Sequence, residues 1–266
     1  RTVRSIFDVH RRTLIHAYER ETLDSSETVI DPSSFNPDEV LQAGSDLEQL
    51  DVHIEYAIDK ILPEQSVTLF YGAGGIGKTW LSLAIARCVS EGRPFMGWDT
   101  KRMPVYYIDY ENPLPMLVDR VRKIHARDVR FWHSSSNLNP PQLDGRNWAL
   151  LSRLERGLII IDTLRASQSK EENNSLDMRL IMTRLKKIRD QGFTILLLHH
   201  TPKNQLRTYK GSTAISDLAD HVLSLHTTDG KRNQADDDGL FAKRYRFGTQ
   251  DKTRYEPFHI YLEFSK

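Results

Sequence analysis

The sequence predicts an α/β fold in which a mostly parallel sheet is flanked by helices. From Ile61 onward, apolar segments of strand length alternate with segments whose apolar residues recur at helical spacing. One strand segment, Leu158–Asp162, begins with four consecutive apolar residues, as expected for a strand that is covered on both faces. Near the end of the chain, apolar and polar residues alternate from Phe258 to Phe264, which predicts an antiparallel extension of the sheet.

Four strands and three helices follow one another in the predicted order. Strands that are joined through a helix usually lie parallel in one sheet, with a right-handed connection between them, so this order predicts a parallel sheet. The predicted strands are Val67–Tyr71, Val105–Asp109, Leu158–Asp162 and Phe193–Leu198, and the predicted helices are Trp80–Val89, Leu114–Ile124 and Leu176–Ile188.

Residues 1–34 differ from the rest and are predicted to form a helical arm and linker, followed by the main domain at residues 35–266. The composition of Asp31–Pro37 predicts a loop at this boundary. The arm either docks on a neighbouring subunit or packs on its own domain, and the pattern leaves both open. An amphipathic helix is indicated by apolar residues at intervals of four and seven: Val3, Phe7, Leu14 and Tyr18.

Composition and charge favour a globular cytoplasmic protein. The 37 Lys and Arg residues against 36 Asp and Glu leave a net charge of +1. A net charge this small does not by itself indicate a polyanion as partner. Apolar runs such as Ile195–Leu198 are far shorter than the roughly 20 residues that span a bilayer, and no signal peptide is recognisable. The single cysteine, Cys88, excludes an internal disulfide and a zinc site built from several cysteines. We therefore expect a cytoplasmic protein without a membrane partner.

Residues 72–79 match the phosphate-binding pattern G-x-x-x-x-G-K-[ST] between a predicted strand and a predicted helix. Glycines let backbone N–H groups wrap a phosphate, and the N-terminus of the following helix attracts negative charge. Lys78 would contact the β- and γ-phosphates of ATP, and the Thr79 hydroxyl would bind Mg²⁺. The predicted nucleotide-binding residues of this segment are Gly72, Ala73, Gly74, Gly75, Ile76, Gly77, Lys78, Thr79 and Trp80.

Asp162 is the predicted metal carboxylate. It ends an apolar strand, and ligands of open α/β sheets bind at the carboxyl edge of the strands. An aspartate at a strand end is common, but together with the phosphate loop it is typical of a site that holds Mg²⁺ for phosphoryl transfer. ATP and Mg²⁺ are therefore the predicted cofactors.

Two carboxylates, Asp109 and Glu111, lie at the end of the second predicted strand. A carboxylate at this position can polarise a water molecule for in-line attack on the γ-phosphate. Glu111 is equally compatible with a solvated position near the start of a helix, where the helix dipole favours negative charge. Position alone leaves both interpretations of Glu111 open.

Three segments together resemble the RecA-like P-loop ATPases: Glu111–Arg120, Leu158–Asp162 and Leu197–Lys203, the last with two adjacent histidines. The sequence is most similar to hexameric replicative helicases of the RepA type, and more distantly to those of the DnaB type, over residues 35–264. This resemblance implies a RecA-like fold and a homo-oligomer, expected as a hexameric ring. It also implies ATP hydrolysis coupled to movement on DNA during replication of a plasmid, phage or integrated element.

The resemblance also implies roles for particular residues. In the family that the chain resembles, the glutamate after the second strand is the catalytic base, which assigns this role to Glu111 and leaves Asp109 as a strand-end cap. A histidine pair after the fourth strand senses the γ-phosphate there, so His199 or His200 would do so here, the alternative being a core histidine. Arg120 would lie against the nucleotide base, the alternative being a surface salt bridge.

The loop after the fourth strand faces the central channel of the ring in this family. Residues 201–213 contain Lys203, Arg207 and Lys210 and no acidic residue. Cations spaced along a loop suit the backbone of single-stranded DNA, and a solvated loop is the alternative. The resemblance thus implies that these three residues bind nucleic acid.

A late strand brings Arg244 and Arg246 to the same side, because side chains alternate along a strand. The segment resembles the Lys-x-Arg-x-Gly segment of DnaB-type helicases, which reaches across the subunit interface to the γ-phosphate. Arg244 stands where that segment has lysine, whereas Arg246 and Gly248 match it. The resemblance implies that both arginines act on a neighbouring active site, the alternative being a surface strand with solvated arginines.

Two other functions are compatible with these motifs. A regulatory or assembly ATPase of the RecA superfamily, in which nucleotide controls protein partners without strand translocation, is the main alternative. A small-molecule kinase is less favoured, because Glu111 and the histidine pair have no evident purpose in one. Stimulation of ATP hydrolysis by single-stranded DNA would separate the first two.

Overall fold

The computed structural model describes residues 36–169, 175–201, 213–228, 244–249 and 253–263. The chain divides into one unit of residues 1–53 and another of residues 54–266. In the first unit, the described part contains a 3-10 helix at Pro37–Glu39 and a short helix α1 at Gly44–Glu48. The predicted arm helix lies outside the described residues, and the predicted boundary after residue 34 stays a prediction.

Among its described residues, the second unit forms a sheet of eight strands, preceded by an antiparallel pair. The pair is β1 (Tyr56–Ile58) and β2 (Leu62–Pro63), and the sheet contains β3 (Val67–Ala73), β4 (Val105–Asp109), β5 (Arg130–His133), β6 (Leu158–Asp162), β7 (Thr194–Thr201), β8 (His221–Thr227), β9 (Arg244–Thr249) and β10 (His259–Glu263). The helices of this unit are α2 (Lys78–Glu91), α3 (Leu114–Ile124), α4 (Ser175–Arg189) and α5 (Thr213–Leu218), with a 3-10 helix at Trp148–Arg153.

The spatial order of the sheet is β10-β9-β8-β3-β7-β6-β4-β5. All neighbours from β8 to β5 pair in parallel, whereas β9 and β10 are antiparallel. The predicted fold class is therefore confirmed, including the antiparallel extension. Phe258, Ile260 and Leu262 pack against the core as the alternation predicts, while Phe264 lies outside the described residues.

Two strands of the parallel part, β5 and β8, were not among the predicted ones. β5 lies at the edge of the sheet, where one of its residues is exposed and the other three are partly buried. Such a strand does not need the apolar run by which the other strands were predicted. β8 mixes histidine, serine and threonine with its apolar residues, although its first five residues are buried. The fourth predicted strand extends further than expected, to Thr201, because its pairing with β3 continues through both histidines.

Each face of the sheet carries its own core. Phe70, Tyr107 and Phe247 contribute to one core together with α2, and Leu69, Ile161 and Leu197 to the other together with α4. The central strand β6 is buried along its whole length, as its apolar run predicts. Along the described residues, no helix has the length and apolarity that crossing a bilayer requires.

Strand order determines what meets at the carboxyl edge of the sheet. β7 lies between β3, which leads into the phosphate loop, and β6, which ends in Asp162. β4 lies beyond β6 and ends in Asp109. Because parallel strands end at the same edge, the four predicted strands deliver their terminal polar residues to one place.

Candidate active site

Residues 72–79 connect β3 to α2, and glycine is required at particular positions in this loop. A Cβ on Gly72 would lie 2.6 Å from the carbonyl oxygen of Leu225, which only glycine avoids. Gly75 and Gly77 have φ angles of 74° and 108°, which residues with a side chain rarely adopt. The loop thereby turns directly into α2, which begins at Lys78.

Lys78 is 3% exposed and is held by the loop that it follows. Its Nζ donates to the carbonyl oxygens of Gly72 and Ala73 at 2.8 and 3.0 Å, and it lies 2.9 Å from Nδ1 of His200. Burial lowers the pKa of Lys78 to about 8, against the opposing effect of the Asp162 and Glu111 carboxylates. The ammonium group is therefore placed inside the loop where a phosphate would bind.

Asp162 and Thr79 are brought together, although 83 positions separate them in the chain. The Thr79 hydroxyl donates to Oδ2 of Asp162 at 3.0 Å, and the Tyr107 hydroxyl donates to the same oxygen at 2.8 Å. Ser82 lies behind Tyr107, with 2.9 Å between their hydroxyl oxygens. Burial raises the pKa of Asp162 to about 6, while the two hydroxyl donors act to lower it.

This donor set fits Mg²⁺. Mg²⁺ takes oxygen ligands and is commonly bound by one or two carboxylates together with substrate phosphates and water. A hydroxyl and a carboxylate at the phosphate loop, Thr79 and Asp162, supply that chemistry. Within the described ranges, no group of three or more His, Cys, Asp or Glu side chains could hold a metal ion, so a protein-only metal cage is not formed there.

Glu111 and Asp109 have different environments. The Asp109 side chain is fully buried, and its Oδ1 accepts the backbone N–H groups of Glu111 and Asn112 at 3.0 and 2.9 Å. The Glu111 side chain is 52% exposed, with Oε2 accepting from the Thr163 hydroxyl at 3.3 Å and lying 3.4 Å from Nε2 of His200. Asp109 thus caps the strand end, and Glu111 is the carboxylate that a water molecule can reach.

The two histidines lie on opposite faces of β7. His200 joins the cleft between Lys78 and Glu111, and burial together with the Lys78 charge lowers its pKa. His199 is 1% exposed, and burial lowers its pKa to about 4. A neutral His200 therefore lies in the candidate site at neutral pH, and His199 is a buried histidine of the sheet.

Arg120 and Trp80 form one wall of the cleft. The guanidinium carbon of Arg120 lies 5.8 Å from the centroid of the Trp80 ring, a cation–π distance. Nη1 of Arg120 also donates to Oδ1 of Asn112 at 2.7 Å. The cleft has a volume of about 200 Å³ and is lined by Gly75, Gly77, Lys78, Thr79, Trp80, Glu111, Asn112, Arg120 and His200.

The predicted trans arginines lie on β9. Arg244 and Arg246 project from the face opposite Phe247, whose ring packs in the core that contains α2. Nε of Arg244 donates to Oε1 of Glu263 at 2.7 Å, and each of these two side chains is more than half exposed. Arg246 is opposite His226 and Tyr261 in the sheet register. The predicted DNA-binding residues Lys203, Arg207 and Lys210 lie outside the described residues.

Several site residues were not found by sequence reasoning. The Tyr107 hydroxyl donates to Asp162, and the Thr163 hydroxyl donates to Glu111. Asn112 forms hydrogen bonds with both Asp109 and Arg120. Thr163 follows Asp162 directly and Asn112 follows Glu111, so proximity to the motifs was an available signal. Tyr107 lies within a buried strand, where a tyrosine fits the core equally well, and no pattern distinguishes it.

The fold and the cleft define a class of protein: an α/β ATPase with a phosphate loop. A family model described as an AAA domain, AAA_25, matches residues 32–206, well over half of the chain. The chain belongs to this family, and membership supports nucleotide hydrolysis. The matched range contains Lys78, Glu111, Asp162 and His200, and it ends before β8.

Proposed function

We propose that this chain is a Mg²⁺-dependent ATPase of the RecA-like type that works in a ring, expected to be a hexamer, as a helicase or translocase on DNA. Its context would be replication of a plasmid, phage or integrated element. The observation that carries the proposal is the position of Glu111. Its exposed carboxylate shares one cleft with Lys78 and Thr79 and lies 3.4 Å from His200.

In the proposed reaction, Lys78 and the loop N–H groups bind the phosphates of ATP. Thr79 and Asp162 would hold Mg²⁺, which neutralises charge on the phosphate oxygens when it is bound. Glu111 accepts a proton from the attacking water, and the Thr163 hydroxyl orients its carboxylate. His200 lies between Lys78 and Glu111, where an imidazole can contact the γ-phosphate.

The proposed link to DNA runs along β7. This strand carries His200 and ends at Thr201, and the segment with Lys203, Arg207 and Lys210 follows directly. A change at the γ-phosphate that moves His200 would be passed to this segment over a few residues of backbone. The resemblance to ring helicases supports the nucleic-acid role of the three cations, and their spacing suits a phosphate backbone.

Glu111→Gln tests the ATPase part of the proposal. The amide keeps the size of the side chain but cannot accept the proton, so turnover should fall on the order of 10²–10⁴-fold while ATP binding is kept. Steady-state hydrolysis and binding of a fluorescent ATP analogue measure the two properties. Asp109→Asn is the matched control and should lose less. Equal turnover of Glu111→Gln and the parent would assign the base elsewhere.

Single-stranded DNA tests the motor part. It should stimulate ATP hydrolysis, and replacing Lys203, Arg207 and Lys210 with glutamine should weaken DNA binding and flatten its salt dependence, because fewer counterions are released. The same charge change at three exposed cations near the end of α3, namely Arg122, Lys123 and Arg127, serves as control. Hydrolysis without DNA binding at low salt would favour a regulatory or assembly ATPase.

A further inference from the structure

The side-chain amide of Asn112 lies between a carboxylate and a guanidinium. Its Nδ2 donates to both carboxylate oxygens of Asp109, at 3.1 and 3.0 Å, and its Oδ1 accepts from Arg120 at 2.7 Å. The reverse orientation would direct the amide oxygen at a carboxylate and the amide N–H groups at a guanidinium. Both neighbours therefore select the same orientation, and the amide is held from two sides.

Asp109 connects this amide to the backbone of Glu111. The Oδ1 atom that accepts from the Asn112 side chain also accepts the backbone N–H groups of Glu111 and Asn112. Because Asp109 is fully buried at the end of β4, it is a fixed anchor for the turn that follows. The position of the Glu111 main chain therefore depends on the same carboxylate that orients Asn112.

Arg120 connects the amide to the opposite wall of the cleft. Its guanidinium lies over Trp80, which follows Lys78 and Thr79 on α2. Trp80, Asn112 and Arg120 all line the cleft that Lys78 and Glu111 share. A continuous set of contacts thus runs from the helix that follows the phosphate loop, through Arg120 and Asn112, to the turn that carries Glu111.

We propose that Asn112 is a positioning residue that sets the place of the Glu111 carboxylate relative to the phosphate loop. The proposal rests on the proposed role of Glu111 in ATP hydrolysis. Asn112 acts through Asp109 on the Glu111 backbone and through Arg120 on the wall formed by Trp80. A displacement of about 1 Å in a reacting group can cost on the order of 10²-fold in rate. Contacts that fix the turn carrying Glu111 should therefore affect turnover.

The test exchanges the carboxylate and the amide at positions 109 and 112. Asn112→Asp keeps the shape of the side chain but places two carboxylates against each other, and kcat should fall about 10–100-fold. In the double variant Asp109→Asn/Asn112→Asp, the new amide at position 109 donates to the new carboxylate at 112, which still accepts from Arg120. The amide oxygen at 109 still accepts the two backbone N–H groups. The double variant should therefore recover most of the lost kcat, a coupling that independent sites do not show.

Two measurements separate positioning from a merely structural role. The repulsion in Asn112→Asp should lower its melting temperature, so kcat is measured well below the melting temperature of every variant, and the affinity for a fluorescent ATP analogue should change little there. Asn137→Asp, on an exposed loop, is the matched control for the added charge. If Asn112→Asp does not fold, Asn112→Ser removes both links without adding charge, and its kcat should fall while the melting temperature is kept.

Each outcome decides the proposal. Parent-like kcat in the foldable Asn112 variant overturns it, as does a double variant no faster than Asn112→Asp, or a kcat loss that disappears well below the melting temperature. The role of Glu111 is judged separately with Glu111→Gln. If that variant turns over like the parent, the proposed function fails; if it is impaired while the Asn112 variants are not, only the positioning role fails.

Discussion

The phosphate-loop region and the antiparallel extension of β9 and β10 differ in how their charged groups are held. In the first region, Lys78 and Asp162 are almost completely buried, and Lys78 contacts two carbonyl oxygens and a histidine. In the extension, Arg244 pairs with Glu263 at the surface, and such exposed pairs contribute about 0–1 kcal/mol. Burial makes the first arrangement costly to change, whereas exposure leaves the Arg244–Glu263 pair free to rearrange, as contact with a neighbouring subunit of the proposed ring would require.

The largest effect is expected in the buried region, for Lys78→Ala. Removal of the ammonium group from inside the loop should abolish nucleotide binding or nearly so, because this charge would face the phosphates of a bound nucleotide. Titration with a fluorescent ATP analogue measures it, and circular dichroism checks that the fold is kept. Full turnover in this variant would show that the loop is not the nucleotide site.

Arg246→Ala tests whether the exposed extension takes part in ATP hydrolysis. If the extension completes a neighbouring site, the loss should approach the 10³–10⁵-fold that an arginine supplied in trans contributes in other NTPases. Mixed assemblies of Arg246→Ala and Lys78→Ala subunits should recover activity that neither variant has alone. Arg254→Ala, also an exposed arginine late in the chain, serves as control. Intact turnover of Arg246→Ala, or full activity of a monomer, would contradict the shared site.

Two buried histidines on the parallel strands that flank β3, His199 and His221, predict acid destabilisation. Burial lowers the pKa values of His199 on β7 and His221 on β8 to about 4, so the unfolded chain binds more protons between pH 6.5 and 4. Stability should therefore fall as the pH falls through this window, by about 3 kcal/mol for each histidine. Asp162, with its raised pKa, opposes this in part.

Urea unfolding across this pH range measures the effect. His199→Gln and His221→Gln should each reduce the pH dependence by removing one titrating group. His221 also binds the Thr253 hydroxyl at 2.9 Å and therefore connects β8 to the chain before β10. A stability that does not change between pH 6.5 and 4 would contradict the neutral, buried state of both histidines.

A smaller effect is expected for Tyr107→Phe, which changes only the surroundings of Asp162, the predicted metal carboxylate. The kcat/KM of the parent should fall below about pH 6 as Asp162 gains a proton, and above about pH 8 as Lys78 loses one. The Tyr107 hydroxyl stabilises the charged carboxylate, so its loss raises the pKa of Asp162. The acid limb should move to higher pH in the variant.

Added Mg²⁺ supplies the control for this shift. A metal ion competes with the proton for Asp162, so more Mg²⁺ should move the acid limb to lower pH in both proteins. The basic limb should stay where it is, because Lys78 makes no contact with Tyr107 among its hydrogen bonds to Gly72, Ala73 and His200. An acid limb that is the same in both proteins would contradict the role of this hydroxyl.

Local pattern predicted the four strands that end at the site, because a strand covered on both faces must be apolar along its length. It predicted the phosphate loop for a similar reason, since the loop needs glycines at spaced positions and a lysine at its end. The resemblance left His199 and His200 as alternatives, and the structure places His200 beside Lys78 and buries His199 in the sheet. The edge strand β5 was missed, because an edge strand needs no apolar run.

By itself, then, the sequence determined the α/β class, the phosphate loop and the carboxylates that belong near it. These features depend on residue type and on short-range periodicity, which can be recognised along the chain. Only the tertiary structure decided that Asp109 turns inward and Glu111 outward, that Tyr107 meets Asp162, and that Asn112 joins Asp109 to Arg120. These contacts depend on strand order and on which face each side chain takes, and both are set by long-range packing.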